Sequence, residues 1–256
     1  MTNISTSAAA AIEIPESELS EIALPSSAGD GAAQLAAALN ARWQQASAEE
    51  ILRDTVQTVT PGRLAVVSSF GADAAVLLHL VAETDRSLPI LFIDTGKHFT
   101  ETLMYRDILV GRFGFTDARA LEPIAEEVKR LDPKGDLWSR DPNLCCQIRK
   151  VDPLQRALKD VDAWITGRKR YQTSARKQMP FAEAIDGRVK INPLASWSEE
   201  DIRSAFRRFK LPQHPLFDEG YRSIGCAPCT ARVATEEDSR AGRWSGTDKT
   251  ECGIHL

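Results

Sequence analysis

The stretch Leu64-Ala65-Val66-Val67-Ser68-Ser69-Phe70-Gly71-Ala72-Asp73-Ala74-Ala75-Val76-Leu77-Leu78-His79 decides the fold. Residues 64–68 form a short apolar, β-branched run of the length of a buried strand. Residues 69–73 supply turn chemistry, and residues from 74 to about 83 carry the apolar content of a helix. A buried strand that passes directly into a helix needs a parallel neighbour, because a helical crossover returns the chain in the same direction.

The alternation continues on both sides. Residues 89–93 read as a second strand ending in Asp94-Thr95-Gly96, 100–113 as a helix, 117–121 as a third strand and 124–131 as a short helix. Residues 132–142 read as loop, 151–159 as helix, and 163–166 and 189–192 as further strands. Ser198, with Asp201 at the third helical position, resembles a capping box and opens a helix to about Lys210. Upstream, residues 33–59 read as one helical segment closed by Pro61-Gly62. The fold class is therefore α/β, a mostly parallel sheet with helices on both faces. Residues 1–34, rich in Ala, Ser, Glu and Thr, read as a flexible leader. Residues 35–235 form the α/β domain, and 236–256 a mobile C-terminal tail.

The net charge of -4 over 256 residues gives no general pull toward nucleic acid or anionic membrane. No window approaches about 18 uninterrupted apolar residues, so no membrane helix is expected, and the N-terminus lacks the pattern of a secretory signal. A reducing cytoplasm is the expected compartment. There, paired cysteines more often bind metal or do redox work than form structural disulfides.

The turn at Ser68, Ser69, Phe70 and Gly71 offers backbone N–H groups at a helix N-terminus, an arrangement that favours a phosphate. An ordinary strand-helix turn reads the same way, and the spacing is neither G-x-G-x-x-G nor Walker A. Asp94, Thr95 and Gly96 end the next strand, where doubly wound sheets place ligands, and suit a ribose or base. The run from Gly167 to Lys177 carries five cations directly after a strand. A solvated face is the usual reading of such a run, but its position argues for anion recognition, as for Arg240 and Arg243 near the tail. Nucleic acid is disfavoured by the net charge and by the lack of interleaved aromatics.

Cysteine usage divides five thiols into two kinds. Cys226-Ala227-Pro228-Cys229 suits a redox dithiol or half a metal site, and Cys145-Cys146 alone suits two buried apolar residues. Together they make four soft ligands for a zinc ion or a 4Fe–4S cluster. Adjacent side chains diverge, which is awkward on one tetrahedral ion and easier on a cluster with four iron corners. Lys150 and Arg149 follow closely and bring positive charge to the thiols. Cys252, in Glu251-Cys252-Gly253-Ile254-His255, stands apart. It is either an idle terminal thiol or a nucleophile activated by Arg240, Arg243, Lys249 and His255.

In order, Ser69-Phe-Gly-Ala-Asp73, Asp94-Thr95-Gly96, Cys145-Cys146, Gly167-x-Lys169-Arg170-x-Gln172, Cys226-x-x-Cys229 and the terminal Glu-Cys-Gly-Ile-His resemble the assimilatory adenylylsulfate (APS) reductases of the phosphoadenylylsulfate (PAPS) reductase family. The resemblance covers roughly residues 36–256. It implies an adenine-nucleotide α-hydrolase-like fold, a modified version of the ATP-pyrophosphatase sheet. It also implies reduction of APS to sulfite and AMP in sulfate assimilation, with thioredoxin or a glutaredoxin-like dithiol as reductant.

Under that resemblance Cys145, Cys146, Cys226 and Cys229 hold one 4Fe–4S cluster per chain, zinc being the alternative. Cys252 takes the sulfonate as S-sulfocysteine, and His255 positions the tail. Lys150, Lys169, Arg170, Arg240 and Arg243 mask the sulfate. Members with both cysteine pairs usually take APS, and members without them usually take PAPS, which leaves a PAPS or dual-substrate enzyme as the runner-up. A cluster-containing tRNA thiolase and a nucleotide-binding iron–sulfur sensor are the more distant readings. A homo-oligomer is left open. Lys169 stands where many relatives have arginine and lacks a bidentate fork, which makes it a weaker anion ligand than Arg170.

Overall fold

All five residues of β1 (Leu64–Ser68) are buried, as are all four of β2 (Ile90–Ile93) and all four of β4 (Ala163–Thr166), as expected of strands covered on both faces. The structure, a computed structural model, describes residues 28–234, 238–244, 249 and 251–255. The expected leader up to residue 27, and tail residues 236–237, 245–248, 250 and 256, lie outside the described residues. With β3 (Ala118–Leu121), β5 (Ala182–Ile185) and β6 (Arg188–Ile191), these strands form a six-stranded sheet in the order β3-β2-β1-β4-β6-β5. Every pairing is parallel except β5 with β6.

Side chains alternate between two cores along each strand. Val66, Ile90, Phe92, Ile165 and Ile191 pack with α1 (Ala28–Arg42), α2 (Ala48–Thr58), α3 (Ala74–Thr84), α4 (Thr100–Phe113) and α9 (Glu199–Phe209). Ala65, Val67, Leu91, Ile93 and Trp164 face the other way, onto Leu154 of α8 (Asp152–Ala157), Leu158 and the tail residue Ile254. The opposite face also carries α5 (Ala125–Leu131), α6 (Leu137–Arg140) and α7 (Pro142–Cys146), followed by a wide π-helical turn over Gln147–Val151. Among the described residues no helix is long and apolar enough to cross a membrane.

Three local readings need correction. The single helix expected over 33–59 is two, because Ser47 caps α2 in a reciprocal box with Glu50 and breaks the run, and α1 begins at Ala28, inside the expected leader. A turn of helix, α6, lies in the expected loop 132–142. Strand β5 was not expected. Its Ala-Glu-Ala-Ile sequence is weak in β-branching, but Asp186-Gly187 after it, both at positive φ, is the hairpin signal that marked it.

Strand order fixes where a ligand can sit. From β1 the chain steps to β2 and β3 on one side, then crosses to β4 on the other. The order reverses between β1 and β4, and the crevice at their carboxyl ends is where an open parallel sheet receives a ligand.

Candidate active site

The residues following β1 and β4 line one cavity, with Ser68, Ser69 and Gly71 on one wall and Gly167, Arg168 and Lys169 on the other. The turn after β1 is shaped by Phe70. Its φ of 48° is left-handed, and its buried ring meets Phe92 edge-on at 5.5 Å. Phe70 therefore faces the core rather than the cavity, and its backbone reversal leaves Ser69 exposed on the cavity side. Ser68 turns its hydroxyl back to accept the Phe70 N–H at 3.2 Å. Gly71 lets another loop close over the turn, since a Cβ there would stand 3.1 Å from the Ile224 carbonyl oxygen.

Among the described residues, seven lysine and arginine side chains line the cavity against one carboxylate, Asp73. Asp73 does not cap α3; it accepts from the Lys169 ammonium at 2.9 Å. Lys169 is only 2% exposed, so its charge is already matched. Arg170 does not line the cavity. Its Nε donates to the Met179 carbonyl at 2.8 Å, and its guanidinium lies over Phe181. Arg168 and Arg176 line the cavity instead, two cations of the same run that were not singled out from sequence. Arg168 pairs with Glu183 at 2.6 Å, and Arg176 with Glu251 at 2.6 Å. Nothing in the spacing of the run separates these two from their neighbours, because the segment after β4 is broken into short 3-10 turns, Arg170–Gln172 and Ser174–Arg176, that share no single periodic face.

Lys150, Arg240 and Arg243 complete the cationic wall, and Cys252 lies in the same lining. Arg243 stacks on Trp244 at 4.4 Å and reaches Ser223 at 3.4 Å. Burial lowers the Arg243 pKa although four cysteines face it. Burial also works against the Lys150 ammonium, but Cys226, Cys252 and Cys146 outweigh it, and the Lys150 pKa ends above the ordinary lysine value.

The expected ribose-binding strand end lies elsewhere. Asp94 and Gly96 close a local turn, with Asp94 Oδ1 accepting the Gly96 N–H at 3.0 Å. Thr95 is fully buried, and its hydroxyl lies 3.3 Å from the Cys226 sulfur. Arg149 fastens this corner, donating to the Thr95 carbonyl and to Asp132, both at 2.8 Å. None of Asp94, Thr95 and Gly96 lines the cavity, because the order reverses at β4 and not at β2. The cavity residues His98 and Tyr171 were not singled out either. His98 Nε2 donates to the Ile93 carbonyl at 2.9 Å, and its backbone bridges Cys226.

All five cysteines are free thiols, and all but the half-buried Cys229 are buried. Burial pushes the Cys145 thiol up to about 11. Cys229 packs against the group of Cys146, Trp244 and Cys252, which brings one member of each pair into the same part of the fold. Among the described residues no three His, Cys, Asp or Glu side chains converge as ligands of one metal ion. Cys252 is 7% exposed and packs with Cys146 and Trp244. A hydrogen bond from the Cys146 thiol, outweighing burial and joined by Lys150, the Ile254 N–H and Arg243, holds Cys252 well below the ordinary thiol value. His255 belongs to the turn Gly253–His255.

The family described as phosphoadenosine phosphosulfate reductase domain matches residues 63–232. The chain is 48% identical to "Adenosine 5'-phosphosulfate reductase" of Mesorhizobium japonicum over 229 residues, 90% of either chain. It is 50% identical to the protein of the same name from Chelativorans sp. over 219 residues, 85% of this chain and 89% of that one. Among solved structures, the PAPS reductase from Candida auris in its phosphate complex is similar, with a TM-score of 0.66 and 28% identity over 78% of this chain and 97% of that one.

Proposed function

This chain belongs to the phosphoadenosine phosphosulfate reductase family, and on that premise we propose that it reduces APS to sulfite and AMP in assimilatory sulfate reduction. One observation carries the reading to these residues. A cavity at the β1/β4 switch point is lined, among the described residues, by seven cations, one carboxylate and the buried thiol Cys252. Such a surface suits a ligand with several negative charges and a group that a thiolate can attack. The cations still outnumber the acids after Glu183 and Glu251 have paired with Arg168 and Arg176.

In the proposed reaction the Cys252 thiolate attacks the sulfur of the sulfate group. The S–O bond to phosphate breaks, AMP leaves with its electron pair, and Cys252 carries the sulfonate. A thiolate of a dithiol protein such as thioredoxin then attacks the Cys252 sulfur and expels sulfite. Its second thiol displaces Cys252 from the mixed disulfide, so the dithiol is the species oxidised. Two anions must meet in the first step, and Lys150, Arg240 and Arg243 line the wall where cations would screen that approach. The backbone turn at Ser69–Gly71 faces the same cavity and suits the phosphate.

A 4Fe–4S cluster fits the donor set of Cys145, Cys146, Cys226 and Cys229. A single zinc, with Zn–S bonds of about 2.3 Å, draws its sulfurs to one point. Four soft thiolates in two pairs suit the separate corners of a cluster, and Cys229 packs against the group of Cys146, Trp244 and Cys252, which brings a member of each pair together. When bound, the group would supply fixed charge beside the cavity, and the dithiol alone accounts for both electrons. Cys146 cannot ligate iron and donate to Cys252 at once. With the group bound, Lys150, Arg243 and the Ile254 N–H would remain to stabilise the Cys252 thiolate.

Mass spectrometry after addition of APS without reductant tests this reading. A sulfonate adduct on Cys252 is expected, and full sulfite production by Cys252→Ser would refute it. Comparing kcat/KM for APS and PAPS decides the substrate, and a strong preference for PAPS overturns the choice of APS.

A further inference from the structure

Cys252 lies in the cavity wall at 7% exposure, flanked on both sides by contacts that tie the chain terminus to the body. On one side is Glu251. Its two carboxylate oxygens accept from Arg176 Nε and Nη2, each at 2.6 Å, and Thr173 donates to it at 2.9 Å. Arg240 approaches the same carboxylate at 3.6 Å. The remaining arm of Arg176 donates to Gln172 at 2.6 Å, which helps hold the fork in its orientation toward Glu251. On the other side, Lys190, on β6 and 1% exposed, reaches the Ile254 carbonyl at 3.5 Å. The Arg176–Glu251 pair is bidentate, with side chains 4% and 7% exposed. Burial works against the Glu251 charge, but Arg176 and Thr173 outweigh it, and the carboxylate stays ionised. Losing either partner would strand a buried charge, so this contact is costly to break, unlike an exposed tail contact.

The two steps of the proposed reaction make opposite demands on this segment. Sulfonate transfer needs Cys252 at the cavity, where the pair holds it. Attack by a dithiol protein needs the Cys252 sulfur outside, where the pair cannot be intact. We infer that the Arg176–Glu251 ion pair is a latch: it positions Cys252 for transfer, and its opening sets the access of the protein reductant. This rests on Cys252 being the sulfur acceptor. Arg176 and Glu251 are positioning residues in this account.

The test uses the full chain with its cluster, prepared anaerobically. Without substrate, iodoacetamide alkylation of Cys252 is followed by mass spectrometry. Glu251→Asp keeps the charge but shortens the reach, and Arg176→Lys keeps the charge but loses the fork. Each is expected to speed alkylation at least about tenfold, corresponding to about 1.4 kcal/mol. Wild-type alkylation rates in both variants would overturn the latch. Single-turnover adduct formation is then expected to slow in these variants, whereas sulfite release from preformed adduct by thioredoxin does not slow. Equal slowing of both steps would mean a merely structural contact and would also overturn it. Failure of the Cys252 reading shows separately, as sulfite production by Cys252→Ser, and leaves the alkylation result interpretable.

Discussion

Replacing Gly225 with alanine probes the cationic wall without touching any charge. A Cβ at Gly225 would overlap the guanidinium of Arg243, the far end of a flexible side chain. The cheapest relief is for Arg243 to swing away, so Gly225→Ala should fold but lose the Arg243 charge from the cavity. A hydrogen bond to a charged group contributes about 1.5–3 kcal/mol. Losing it from the transition state should therefore lower kcat/KM for APS roughly ten- to hundredfold. Steady-state sulfite release measures this, with a thermal melt to verify folding. Arg243→Ala should show a loss of similar size. The double variant should lose little more than Arg243→Ala alone, because both changes act through one guanidinium. Wild-type kcat/KM in a folded Gly225→Ala, or fully additive losses, would refute the reasoning.

Lys169→Met should affect the KM for APS far less than Arg243→Ala, because Asp73 already neutralises Lys169; an equal loss would return Lys169 to the anion site. Iron and acid-labile sulfide should be found together after anaerobic purification, lost in Cys145→Ser and kept in Cys252→Ser; zinc without sulfide would exclude the cluster. His214, 1% exposed, bonds Thr102 and the Leu216 N–H, and burial lowers its pKa to about 4. The unfolded state then binds the extra proton between about pH 6.5 and 4, so stability is complete above 6.5 and falls as pH drops through that window. The loss should be on the order of 3 kcal/mol, read by urea unfolding at both ends of the window, and His214→Gln should flatten the slope.

The elements were legible where short-range physics sets them. Strand β1 shows in its β-branched run, α9 in the Ser198 and Asp201 box, and α4 over the expected 100–113 span. Segments failed where the local signal was divided. Ser47 and Glu50 form as good a box as Ser198 and Asp201, yet the surrounding alanines mask the break between α1 and α2. Within the site, the residue types were legible and their partners were not. Lys169 and Arg170 are cations in any context, but the Asp73 carboxylate neutralises Lys169 on the cavity wall and the Met179 carbonyl draws Arg170 away from it.

Sequence alone determined the alternating strands and helices, the two cysteine pairs, the cationic run and the separate terminal thiol. These depend on periodicity, turn chemistry and residue type, which act over a few positions. Only the tertiary structure decided that the sheet reverses at β1 and β4, which moves Asp94, Thr95 and Gly96 to the cysteine corner and brings Arg168 and Arg176 to the cavity wall. It also decided that Glu251 meets Arg176, 75 residues apart in the chain. Strand order and ion pairing are set by which surfaces must be buried together, and that balance is global: no window of sequence contains both partners.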